Sequence, residues 1–155
     1  MDYRQTGRII KMTGGLYTVQ LNSAQPGTPL DGQVVECRAR GNFRHEGMTP
    51  LVGDHVAVQY DETSYAMAPD GAVTPSADRT GLMIAEILDR KNALIRPPLA
   101  NLDEMLVVFA AEAPAPDIPT IDKLLCILEF NRIRPVMVIG KSELNDTVTR
   151  RMAKL

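Results

Sequence analysis

The chain has 155 residues, 45% of them apolar, which is enough for one domain or two small ones around a buried core and too apolar for a disordered tail. Its net charge of −2 excludes a uniformly basic binder, so any nucleic-acid site must be a local patch of positive charge. No apolar run reaches the roughly 18 residues of a membrane span, and Met1-Asp2-Tyr3-Arg4-Gln5 lacks an apolar signal core. These features predict a cytoplasmic protein without a membrane partner.

Residues 7–11, 16–21, 33–37 and 55–60 are short, β-rich and separated by Gly, Pro or Asn, and they predict four strands. Gly14-Gly15 fits a tight hairpin turn between the first two, whereas residues 23–32 form a longer loop carrying Pro26, Gly27 and Pro29. Residues 69–80, bearing Pro, Gly, Ser and Asp, read as a mobile loop, and residues 82–88 as a fifth strand. Five short strands in about 90 residues predict a small closed β-barrel of the five-stranded OB-fold type, because closure removes the exposed edges of an open sheet.

The pattern changes near residue 101. Residues 105–110 form a continuous apolar run, expected as a strand buried on both faces. A helix follows from Ile118, with Pro119 in its first turn and Ile121, Leu124, Leu125 and Leu128 spaced along one apolar face. Residues 135–139 supply a second strand, completing a β-α-β unit with parallel strands. Arg96-Pro97-Pro98 reads as a stiff, extended connector. The expected domains are therefore residues 1–95, the barrel, and residues 96–155, a partial α/β domain. Cys37 and Cys126 lie in apolar surroundings and are expected as two buried free thiols. With two histidines they give no metal-ligand spacing.

Two clusters carry potential chemistry. Residues 37–45 hold Arg38, Arg40, Arg44 and His45 without an acid. Arg38 and Arg40 share a parity, so a strand continued past Cys37 places both guanidiniums on one face, available to phosphate. The competing reading is a solvated loop whose arginines pair with Glu36, Glu46 or Asp54. Phe43 is either a base-stacking ring or a core plug. The second cluster, Gly140-Lys141-Ser142-Glu143, sits at the carboxyl end of the second parallel strand, the edge where open α/β sheets bind ligands. It is not the end of a phosphate loop: G-x-x-x-x-G-K-[ST] requires Gly at position 135, where Pro135 stands. A base-recognition loop, or an ordinary strand-to-loop turn, remains.

In order, Gly14-Gly15-x-Tyr17-x-Val19, Cys37-Arg38-x-Arg40-Gly41-x-x-Arg44, Leu51-Val52-Gly53-Asp54-x-Val56, Arg90-Lys91-Asn92-x-Leu94-x-Arg96-Pro97 and Ala100-Asn101-x-Asp103 resemble the ribosome small-subunit-dependent GTPase A family. Each motif is weak alone; their order and spacing over about 130 residues make the set specific. The resemblance implies an OB-fold that contacts ribosomal RNA through Arg38, Arg40 and Arg44. A circularly permuted P-loop GTPase domain and a carboxyl-terminal zinc-binding domain would follow. The implied role is maturation of the small ribosomal subunit, with GTP and Mg²⁺ bound by the complete protein and zinc in the carboxyl-terminal domain. The permuted order places the family's guanine-specificity motif, Asn-Lys-x-Asp, at Gly140, Lys141, Ser142 and Glu143. Lys141 matches, whereas Gly140 and Glu143 replace the Asn and the Asp, which implies altered guanine selectivity.

Neither a phosphate loop nor a zinc cluster occurs before Leu155, so the 155 residues are expected to be inactive in GTP hydrolysis. They represent either part of a longer GTPase or a non-enzymatic OB-fold RNA-binding adaptor. A two-stranded β-α-β unit with one helix should leave an apolar face open, making it loosely ordered or covered by a second copy of the chain.

Overall fold

The computed structural model describes residues 2–23, 30–44, 47–69, 73–75, 81–152 and 154, which divide into two units, residues 1–101 and 102–155. In the first unit, β1 (Asp2–Thr13) and β2 (Leu16–Leu21) form an antiparallel hairpin about Gly14-Gly15. Both glycines have positive φ, 58° and 81°, as a tight turn matched to the twist of its strands demands. β3 (Val34–Ala39) runs antiparallel to β2, with Leu16 opposite Arg38. β4 (His55–Asp61) pairs with the first half of β1, and a short hairpin, β5 (Tyr65–Met67) and β6 (Val73–Pro75), follows it. β7 (Met83–Ile87) lies parallel to β3 and antiparallel to β4, closing the barrel in the order β1-β2-β3-β7-β4. This is the five-stranded OB-fold expected from the sequence.

Alternation along the strands builds the core. Val19, Leu21, Cys37, Val56, Val58 and Ile84 point inward and are essentially inaccessible to solvent. Burying each large apolar chain is worth roughly 1.5–3 kcal/mol, so a handful of inward positions on each strand outweighs the loss of local freedom. Gln5 is the polar exception. Its amide donates to Asn22 O (3.0 Å) and its Oε1 accepts from the Tyr60 hydroxyl (2.9 Å), so its burial leaves no unpaired dipole.

Several expectations change. β1 is longer than residues 7–11, because its polar beginning pairs with β4 while its end pairs with β2; a strand shared between two partners does not show one continuous alternation. The loop expected at residues 69–80 contains β6, and residues 70–72 and 76–80 of it lie outside the described residues, as do Pro26, Gly27 and Pro29 of the earlier loop. Arg96-Pro97-Pro98 is no extended connector. It forms the turn between β8 (Ala93–Leu94) and β9 (Leu99–Ala100), inside the first unit, where fixed proline φ angles serve reversal as well as extension. Cys37 is a buried free thiol as expected, but Cys126 is exposed.

The second unit contains β10 (Glu104–Ala110), α1 (Ile118–Phe130), β11 (Arg134–Gly140) and α2 (Asp146–Met152). β10 and β11 are parallel, with Leu106 opposite Val136 and Val108 opposite Val138. α1 starts with Pro119 in its first turn and packs on β11. Of its four apolar positions Ile121 and Leu128 are buried, while Leu124 and Leu125 are half-buried. Cys126 lines an open pocket with Leu125 and Glu129 of α1 and Pro135 and Met137 of β11, which leaves its thiol exposed. β10 is not buried on both faces as expected: Val107 is covered, but Leu106 and Val108 are 64% and 68% exposed. One helix shields one side of a two-stranded ribbon, and alternation turns every second residue to the other.

Candidate nucleic-acid interface

An open cleft of about 940 Å³ lies on the barrel between the β1–β2 turn, the end of β3 and residues 48–50. Arg38 and Arg40 line it. Inward Val35 and Cys37 set the parity of β3, which turns Arg38 outward, and Arg40 continues the same face just past the strand. β7 fixes both backbones: Arg38 N donates to Leu82 O (3.1 Å) and Arg40 N to Ile84 O (3.3 Å).

The competing reading pairs these arginines with Glu36, Glu46 or Asp54. Among the described residues neither guanidinium makes an ion pair. Arg40 Nη2 instead donates to the neutral Gln59 Oε1 at 3.0 Å. Asp54 is engaged elsewhere, and Glu46 lies outside the described residues, as does His45. Arg44 ends a short 3-10 turn, Gly41–Arg44, that follows the cleft strand. Phe43 is a core plug, not a stacking ring: it is 7% exposed and belongs to the barrel's apolar cluster.

Beside the cleft is a polar clasp whose pairing the sequence does not reveal. Asp54 is fully buried and accepts from Arg90 Nε (2.7 Å), Arg90 Nη2 (2.6 Å) and Leu51 N (2.7 Å). Arg90 Nη2 also donates to Thr49 O (2.7 Å), so the pair holds the segment that forms one cleft wall. The hydrogen bonds to Asp54 push the Arg90 guanidinium's pKa above its ordinary value, against the opposing effect of desolvation. Asn101, in a left-handed conformation, donates to Gly53 O (3.1 Å) and accepts from Lys91 N (2.9 Å). Gly53 has φ of 97°, and a Cβ there would stand 2.0 Å from Ala100 O, so no side chain fits. Gly53, Asp54, Arg90 and Asn101 all belong to the motifs that carry the family resemblance. Their pairing crosses tens of residues, which motif order alone does not reveal.

In the second unit, Gly140 ends β11 and Lys141 adopts φ of 53° before the 3-10 turn Ser142–Leu144. Lys141 Nζ donates to Ala113 O in the loop after β10, so the lysine bridges the two loops at the carboxyl edge of the ribbon. Ser142 O accepts from Thr149 Oγ1 (3.2 Å), and Glu143 is exposed. Pro135 lies within β11, which disposes of a phosphate loop at that point. No G-x-x-x-x-G-K-[ST] sequence occurs in the 155 residues and, among the described residues, no group of three or more His, Cys, Asp or Glu could hold a metal ion. No described helix is long and apolar enough to cross a membrane.

A closed OB barrel followed by a parallel β-α-β unit is the architecture of the first part of a circularly permuted GTPase. Solved structures agree. The chain superposes on YloQ, described as a circularly permuted GTPase, with a TM-score of 0.62 and 30% identity over 98% of this chain and 46% of that one. On YjeQ from Thermotoga maritima the TM-score is 0.66, with 27% identity and the same coverages. The sequence matches the RsgA N-terminal domain over residues 6–67 and the RsgA GTPase over residues 87–155, and the chain belongs to the RsgA family. It is 38% identical over 141 residues to the small ribosomal subunit biogenesis GTPase RsgA of Bacillus pumilus (strain SAFR-032), covering 91% of this chain and 40% of that protein. For the protein of that name from Streptococcus agalactiae serotype V, the identity is 35% over 140 residues, covering 90% and 40%. The chain thus spans about two fifths of the length of the curated relatives it matches.

Proposed function

We propose that these residues form the RNA-binding part of a cytoplasmic GTPase that docks on the small ribosomal subunit, contacts its rRNA and assists its maturation. The observation that carries this reading is the barrel cleft, where Arg38 and Arg40 face outward with no ion pair among the described residues, in a chain of net charge −2. Arg44, immediately beyond, joins them as the third phosphate contact. The Gly140–Glu143 loop supplies part of the guanine pocket, and GTP hydrolysis with Mg²⁺ belongs to a protein that also carries a phosphate loop. By themselves the 155 residues bind RNA without turning over GTP, since nothing in their sequence cradles a triphosphate.

The test is binding to unpaired RNA as a function of salt. Replacing Arg38, Arg40 and Arg44 by Ala should flatten the slope of log affinity against log salt by roughly 0.7 for each phosphate no longer neutralised. An unchanged slope places the RNA site elsewhere. GTP turnover above a buffer blank, after controls for contaminating enzymes, contradicts the division of labour between cleft and phosphate loop.

A further inference from the structure

We infer that the cleft grips the sugar–phosphate backbone of one RNA strand, with successive phosphates on Arg38 and Arg40 and the bases left outside, and that Gln59 is the residue that positions Arg40. This rests on the RNA-binding reading above and specifies what the cleft recognises.

Barrels that bind single strands by their bases present aromatic rings as stacking platforms. The aromatic residues lining this cleft, Tyr17 and Phe43, present none: they are 6% and 7% exposed, with their rings committed to the core. What the cleft offers is charge. Arg38 and Arg40 lie two residues apart on one face, a separation of roughly 6.6 Å along an extended chain, comparable with the spacing of successive phosphates on one strand. Pairing to β7 holds both backbones, so the separation is built in.

Gln59 completes the arrangement. It comes from β4, across β7 from the arginines, and its Oε1 takes one Arg40 nitrogen at 3.0 Å. A carboxylate at position 59 would hold the guanidinium equally well but cancel its charge. A neutral amide fixes its direction and leaves the charge, and the other donors of the guanidinium fork, for phosphate. The opposite rim, Gly14-Gly15, has nothing within 4 Å of where a Cβ would be, so a backbone can pass over it unobstructed.

The experiment measures anisotropy of the intact 155-residue chain with three labelled oligomers of about 12 units: oligouridylate, oligoadenylate and an abasic ribose–phosphate strand. All three are expected to bind within about threefold of one another with the same salt slope, since the phosphate contribution is sequence-independent. Gln59→Glu should lower that slope by roughly 0.7, the equivalent of one phosphate, whereas Gln59→Ala should weaken binding and keep the slope. Binding of both base-bearing oligomers without the abasic strand overturns the backbone inference and leaves the RNA-binding reading standing. If no oligomer binds, that reading falls and takes the inference with it. A Gln59→Glu slope equal to that of the native chain removes Gln59 from its role. The abasic comparison uses the native chain, so it holds even if a position-59 variant misfolds.

Discussion

Asp54→Ala is the most informative single substitution in the barrel. It removes the acceptor of three hydrogen bonds, two from Arg90 and one from Leu51 N, and it leaves the Arg90 guanidinium without its counter-charge. Breaking a buried ion pair by deleting one partner costs about 3–5 kcal/mol, because the remaining charge is stranded. The Arg90 side chain retains 24% exposure and can recover some water, which favours the lower end; the orphaned Leu51 N–H, costing about 1–3 kcal/mol, restores part of the difference. The expected destabilisation is about 3–4 kcal/mol. The surface pair Arg4–Glu86 is the control: its side chains are 62% and 51% exposed, so Glu86→Ala should cost under about 1 kcal/mol. Urea unfolding followed by far-ultraviolet circular dichroism measures both. Replacing Asp54 and Arg90 together by Leu should recover much of the stability, since no charge is then stranded. Hydrogen exchange should show the amides of Lys91, Ala100 and Asn101 losing protection first in Asp54→Ala, because the clasp holds β8 and β9 to the barrel. An Asp54→Ala variant within about 1 kcal/mol of the native chain, the size of a surface-pair effect, refutes the clasp.

A thiol reagent should modify Cys126 quickly and Cys37 only after unfolding, because Cys126 is exposed and Cys37 is inaccessible; two fast thiols would contradict the barrel core. Burial pushes the Cys37 thiol up to about 12, helped by the nearby Glu36 charge. An acid whose pKa is raised on folding contributes stability that is intact below its unfolded value, here 9.0, and declines as pH climbs from there toward 12. Cys37→Ala should therefore make alkaline unfolding less steep, and an identical pH profile would deny the shift. Leu106 and Val108 expose an apolar stripe, so light scattering should show a species larger than one chain, reduced by Leu106→Lys with Val108→Lys. Limited proteolysis should cut first beyond residue 102. A monodisperse monomer, uniformly resistant, would show that the stripe is covered within the chain.

The barrel was legible because its strands are short, β-rich and punctuated by Gly, Pro or Asn, with clean alternation in β2 and β3, and because the hairpin glycines stand where positive φ is needed. β8 and β9 were not, because two-residue strands carry no periodicity and the prolines between them suit extension and turn equally. In the second unit both parallel strands and the helix were legible from their apolar pattern. The exposure of Leu106 and Val108 was not legible from β10 alone, since an apolar run does not say how many layers cover it. For the cleft, parity along β3 correctly put Arg38 and Arg40 on one face. Gln59 was invisible, because a glutamine in an alternating strand is an ordinary outward residue until the arginine across the sheet is placed.

The motifs that carry the family resemblance are mainly structural, and this explains why they are weak singly and specific together. Gly53 is required by its approach to Ala100, Asp54 by Arg90, and Asn101 by Gly53 and Lys91, so each restricts residues tens of positions away. Such mutual requirements leave an ordered set of motifs that composition cannot imitate. They also bear on the cleft, because Arg90 reaches Thr49 O and Asp54 holds Leu51 N next to it, securing the 48–50 wall of the cleft that Arg38 and Arg40 also line. Loosening the clasp without unfolding the barrel would therefore weaken RNA binding through geometry while leaving both guanidiniums charged. Its signature is lower affinity at an unchanged salt slope, opposite to the change in slope expected when an arginine itself is removed.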